Sequence, residues 1–92
     1  MILSFQHKGL ETFYRTGSKR GIQAAHAGKL ERILGALDVA QIPDDADFPA
    51  FKLHALKGEL RGTWSIWVNG NWRITFRFTG RDVELVNYAD YH

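Results

Sequence analysis

Hydrophobic and polar positions follow two different periods along this chain. From His7 onward, Leu10, Phe13 and Tyr14 recur at helical spacing, and Gly17 supplies a stop. A second helix is predicted over residues 23–40, where Ala27, Leu30, Ile33, Leu34 and Leu37 form one apolar stripe. Gly28 and Gly35 weaken that helix by up to ~1 kcal/mol each relative to Ala, so it depends on packing against a sheet. An acidic loop follows, with Pro43 and Pro49 at its ends. Beyond it the period drops to two.

In the stretch after the loop, Phe51, Leu53 and Ala55 take one side and Lys52, His54 and Leu56 the other. Lys57–Gly62 reads as a glycine-flanked loop. From Trp64 the alternation is strict. Trp64, Ile66 and Val68 share a parity, as do Trp72, Ile74, Phe76 and Phe78 after Asn69-Gly70-Asn71. Thr63, Ser65 and Trp67 fall on the opposite side, with Arg73, Thr75 and Arg77. Such strands bury one face and leave the other to water or a ligand. Met1–Phe5, short and apolar, reads as an added edge strand.

Register follows from keeping the faces matched. A two-residue Asn69-Gly70 loop would set Val68 against Asn71 and mix the apolar and polar sets. An odd loop centred on Gly70 instead pairs Val68 with Trp72, Ile66 with Ile74 and Trp64 with Phe76. Trp67 then faces Arg73, Ser65 faces Thr75 and Thr63 faces Arg77. A two-residue turn in Thr79-Gly80-Arg81-Asp82 sets Phe76 opposite Leu85, Arg77 opposite Glu84, Arg73 opposite Tyr88 and Asn71 opposite Asp90. The open face is thus predicted to gather Arg73, Tyr88, Asn71, Asp90 and His92, with His54 from a neighbouring strand.

Composition narrows the class. A chain of 92 residues that is 45% hydrophobic reads as one domain over 1–92 with a modest core. There are no cysteines, which removes disulfides and thiolate metal sites. Neither a long apolar run nor a signal-like start is visible, so the expectation is a soluble cytoplasmic protein without a membrane partner. A net charge of +2 names no partner by itself, but its distribution is uneven. Asp38, Asp44, Asp45 and Asp47 crowd one region, whereas Lys52, Lys57, Arg61, Arg73 and Arg77 face only Glu59 between residues 52 and 77. That is a local anion site.

The predicted face holds the parts for RNA cleavage. Imidazoles serve as acid and base, arginine and lysine stabilise charge on phosphate oxygens, an amide fixes a base edge and a tyrosine stacks. Together they suit attack of a 2′-hydroxyl on its own 3′-phosphate, with neither metal nor cofactor. Each part alone has a plainer reading. His54 as a surface histidine, Lys57 as a solvated charge and Arg73 stacked on Trp67 or Tyr88 are all ordinary. Asp90-Tyr91-His92 as a frayed end and Trp67 as a protein contact are equally ordinary. His7 and His26 receive no functional role.

The strings KLHALKG, WSIWVNGNWRITF and NYADYH, within a match running from MILSFQHKGLE to the final histidine, resemble the HigB branch of the RelE-like toxin superfamily. The resemblance implies an α+β fold, with two N-terminal helices packed on one face of a mostly antiparallel twisted β-sheet. It also implies a ribosome-dependent endoribonuclease that cuts mRNA in the ribosomal A site. Its neutralising partner would be a HigA-like helix-turn-helix antitoxin, with operator DNA reached only through that antitoxin. The family's functional set falls on His54, Lys57, Asn71, Arg73, Asp90, Tyr91 and His92; Trp67 adds a stacking surface for RNA. Two rival readings stand beside it. One is a non-catalytic nucleic-acid or antitoxin-binding module using Trp67, Arg73 and Arg77. The other is a metal-dependent nuclease with His54, Asp90 and His92 as ligands, which lacks a familiar ligand spacing.

Overall fold

Leu10 and Phe13 lie one helical turn apart and both are buried on the inner side of α1, Lys8–Thr16. His7 opens this helix by accepting the Leu10 N–H on Nδ1 at 2.9 Å. Gly17, with φ +80°, closes it and donates its own N–H to the Phe13 carbonyl. A 3₁₀ turn, Ala24–His26, then leads into α2, Ala27–Val39, whose buried residues are the predicted stripe. The loop between the helices lies against the first turn of α1, so closely that a methyl group on Gly9 or Gly21 would strike the other's backbone. The computed structural model describes residues 1–91.

Four antiparallel strands form the sheet in sequence order: β1, His54–Ala55; β2, Thr63–Asn69; β3, Trp72–Thr79; β4, Asp82–Asp90. The N-terminal segment adds parallel bridges outside β4, Ile2 to Val83 and Phe5 to Val86. One side of the sheet contributes Ile66, Val68, Ile74, Phe76, Val83 and Val86 to a single core with Leu10, Leu30, Ile33 and Leu37 of the helices. Both helices therefore cover the same face, as expected. The other face stays open.

Three sequence expectations change. The first strand of the pattern shrinks to two residues, because Phe51 closes a 3₁₀ turn and Lys52 takes a left-handed φ of +49°. The first hairpin keeps every predicted pair from Thr63–Arg77 to Trp67–Arg73, but not Val68–Trp72. Asn69 faces Trp72 across a two-residue Gly70-Asn71 turn, and a bulge at Val68 absorbs the odd residue. In the second hairpin Thr79 faces Asp82 and Arg77 faces Glu84 as predicted, and then the register slips.

Leu85 causes the slip. It bulges with φ +56°, and its N–H, lost to the ladder, is taken by the Ser4 hydroxyl at 2.9 Å. Pairing resumes with Thr75 opposite Asn87, Ile74 opposite Tyr88, Arg73 opposite Ala89 and Trp72 opposite Asp90. The Tyr91 N–H donates to the Asn71 carbonyl at 2.8 Å, so Tyr91 rather than Asp90 stands opposite Asn71. Tyr88 turns under the helices and is buried, not placed beside Arg73 on the open face.

Candidate active site

The registers set three rows of side chains across the open face. Thr63, Arg77 and Glu84 form one, His54, Ser65, Thr75 and Asn87 the next, and Trp67, Arg73 and Ala89 the third. Ser65 and Thr75 are only 1% and 6% exposed although they belong to this face. Thr75 forms part of the floor of a cleft of about 270 Å³, walled by Leu56, Leu60, Leu85 and Tyr91. Gln6, Thr63, Arg77 and Asn87 complete it.

His54 is exposed, and its Nδ1–H donates to the Lys52 carbonyl at 3.1 Å. That bond fixes the tautomer and leaves the lone pair of a neutral ring on Nε2. Arg73 lies two strands and one row away, roughly 12 Å between Cα atoms by strand spacing. The gap is one that two long side chains close around a phosphate. Arg73 donates from Nη1 to the Gly70 and Trp72 carbonyls at 2.9 and 3.0 Å, and Trp67 Nε1–H reaches the same Gly70 oxygen at 3.0 Å. The hairpin tip thereby locks the guanidinium and the indole together.

Above the Trp67 ring sit two ammonium groups, Lys29 Nζ at 4.1 Å and Lys52 Nζ at 4.4 Å from its centroid. Lys29 also donates to the Ala50 carbonyl at 2.8 Å. Burial holds the Lys29 pKa below the usual lysine range, and the neighbouring Arg32 and Lys52 charges press it the same way. Among the described residues none of Lys29, Lys52, Lys57, Arg73 and Arg77 is ion-paired to a carboxylate. Cations without a carboxylate partner therefore run from the open face to α2, with Glu84 opposite Arg77 as the acidic neighbour in their rows.

The remaining predicted residues are spread around this centre. Lys57 is exposed just before the 3₁₀ turn Gly58–Leu60. Asn71 lies in the hairpin turn opposite Tyr91, and Tyr91 leans over the cleft. Asp90 is exposed at the end of β4, and after the bulge it has the parity of Tyr88 instead of that of Arg73. His92 lies outside the described residues. No three of His, Asp and Glu among the described residues gather as metal ligands do.

Sequence reasoning missed Lys29, Gln6, Leu85 and Asn87. Lys29 borders an apolar helical stripe, and nothing in that spacing announces its reach to Trp67. His26 holds structure. It is buried, with Nδ1 2.7 Å from the Tyr88 hydroxyl, and Tyr88 stacks on Trp72 with ring centroids 4.6 Å apart.

A family model described as RelE-like toxin of type II toxin-antitoxin system HigB matches residues 3–92. Endoribonuclease HigB of Proteus vulgaris is 42% identical over 92 residues, covering all of both chains. Toxin HigB-1 of Vibrio cholerae is 36% identical over 94 residues, covering all of this chain and 98% of its own. Among solved structures, a YoeB/ParE toxin from Agrobacterium tumefaciens superposes with a TM-score of 0.64 at 19% identity, over 99% of this chain and 96% of its own. A YafQ mutant from E. coli gives 0.62 at 16% identity, over 98% and 91%. These two likenesses concern the fold.

Proposed function

The chain belongs to the HigB-like family of RelE-like toxins of type II toxin-antitoxin systems, and on that premise we propose that it is a ribosome-dependent endoribonuclease acting without a metal ion. One observation carries the reading. A tautomer-fixed histidine, a tip-anchored arginine and cations without carboxylate partners meet on the face that the helices leave uncovered.

On this reading His54 Nε2 takes the proton of an RNA 2′-hydroxyl as its oxygen attacks the adjacent 3′-phosphorus. The bond from phosphorus to the 5′-oxygen breaks, leaving a 2′,3′-cyclic phosphate. The 5′-oxygen leaves with a proton from a partner acid; the family's functional set includes His92, and the acid role given to it here is part of this proposal. Arg73 and Lys57 hold the phosphate and offset the charge that builds on it. Asn71 and Tyr91 hold the nucleotide splayed and Trp67 stacks against RNA, while Asp90, turned from the Arg73 side by the bulge, acts through an imidazole and not on the 2′-hydroxyl. A catalyst with few cationic groups gains from a ribosome that presents mRNA already positioned in the A site. The protein partner of such a toxin is its antitoxin, proposed to be a HigA-like helix-turn-helix protein that also supplies the contact with operator DNA.

Purified protein in a translating extract, with 5′ ends mapped with and without ribosomes and with and without EDTA, tests the proposal. Cuts that require ribosomes, persist in EDTA and fall ~10²–10⁴-fold with His54→Ala are expected. EDTA-sensitive cutting overturns the metal-free chemistry, and equal cutting of naked RNA overturns the ribosome requirement. RNA bound but never cut would establish a binding module instead.

A further inference from the structure

We propose that the cleft between the bulge of β4 and Tyr91 is a nucleobase pocket, with Asn87 its specificity-determining residue. This rests on the endoribonuclease reading above and adds where one base of the RNA is read. At about 270 Å³ the cleft falls below the roughly 300–1,000 Å³ of pockets that hold drug-sized ligands. It suits a single flat ring system. Its walls, Leu56, Leu60, Leu85 and Tyr91, are apolar or aromatic, as the two faces of a base require. Its floor carries polar groups, the Thr75 hydroxyl and the Asn87 carboxamide, as the edge of a base requires.

Asn87 occupies the row of His54, so a base seated on it lies beside the proposed reacting phosphate. Its carboxamide makes no hydrogen bond among the described residues, which leaves both N–H donors and the carbonyl acceptor for a ligand. The bulge builds this geometry. A leucine at φ +56° is strained, and without the slip it produces, Asn87 would point to the helix side and Tyr88 to the open one. The Ser4 hydroxyl, bonded to the Leu85 N–H at 2.9 Å, holds the strained turn in place.

The test compares cut-site maps of the wild type, Asn87→Asp and Leu85→Gly in a translating extract. Glycine tolerates the left-handed backbone, so Leu85→Gly keeps the bulge and removes one wall. Asn87→Asp turns the amide donor into an acceptor and is expected to redistribute cuts among bases at one position relative to the break, by about tenfold or more. Leu85→Gly is expected to flatten the preference there. RNA cut by both variants with the wild-type base profile overturns the pocket while leaving the nuclease standing. A wild type that cuts nothing overturns the nuclease reading and the pocket with it. Should a variant be silent, binding of four RNA trinucleotides differing in one base gives the answer. Unequal wild-type affinities levelled by Leu85→Gly support the pocket, and equal wild-type affinities overturn it.

Discussion

Lys29 and Lys52 both hold their ammonium groups against the Trp67 indole, and Arg32 adds a third charge near Lys29. Like charges crowded this way repel unless an anion shares the space. A bound RNA backbone relieves the repulsion, so Lys29→Met is expected to weaken binding of single-stranded RNA. The slope of log affinity against log salt should become shallower by about 0.7, one phosphate contact's worth; an unchanged slope in a salt titration removes Lys29 from the RNA path. Tyr88 makes a second case. Its hydroxyl meets His26 Nδ1 at 2.7 Å and accepts the Gln23 N–H at 3.4 Å, so Tyr88→Phe is expected to cost about 1–3 kcal/mol in urea unfolding.

The tyrosines also set the alkaline limb of stability. Burial raises the Tyr88 pKa, and burial together with the Asp38 hydrogen bond raises that of Tyr14. Below the ordinary tyrosine value of about 10, both are neutral in the folded and unfolded chains and their contribution is intact. Above it the unfolded chain ionises first, so stability falls as pH rises toward the folded values. Replacing Tyr14 by Phe should flatten that fall in unfolding curves taken above pH ~10.

At the scale of elements, the contact between the first turn of α1 and the loop before α2 is set by backbone against backbone. Gly9→Ala or Gly21→Ala forces them apart and should cost about 1–3 kcal/mol or more. At ~4–8 °C per kcal/mol for a domain of this size, the loss is plain in a melting curve. Gly35→Ala, in α2 with open space around it, should instead raise stability by up to about 1 kcal/mol.

How much of this was legible follows from the two bulges. Alternation reveals which side chains share a face but not a single inserted residue. At Val68 the insertion is cancelled by a shorter turn, so the pairs from Thr63–Arg77 to Trp67–Arg73 came out as the sequence pattern required. At Leu85 nothing cancels it, and every pairing beyond moved by one. A leucine carries no turn signal, and the hydroxyl that holds its bulge lies 81 positions away at Ser4. The helices, the shared face of His54 and Arg73, and the exposed position of Lys57 were readable because local periodicity and loop chemistry decide them. Asn87, Tyr88 and Lys29 depend on contacts distant in sequence.

For the molecule as a whole, the segment before α1 closes the sheet. Leu3 N–H and Gln6 N–H donate to the Val83 and Val86 carbonyls, and Val83 and Val86 return bonds to Met1 and Ser4. Removing residues 1–5 would bare an edge whose Val83 and Val86 are fully buried, so the shortened chain is expected to aggregate and lose cooperative unfolding. Size-exclusion chromatography with a urea titration checks both.

The same closure sets the segment before α1 against β4, a strand that leaves the ribosome long after it. During translation the segment with Ser4 can meet Asp38 and Tyr14 but has no strand to pair with until Val83–Val86 has left the ribosome. A nascent chain caught short of that strand has His54 and Arg73 yet neither wall nor floor from β4. The open face is therefore completed only once β4 has emerged, well after its first catalytic candidates.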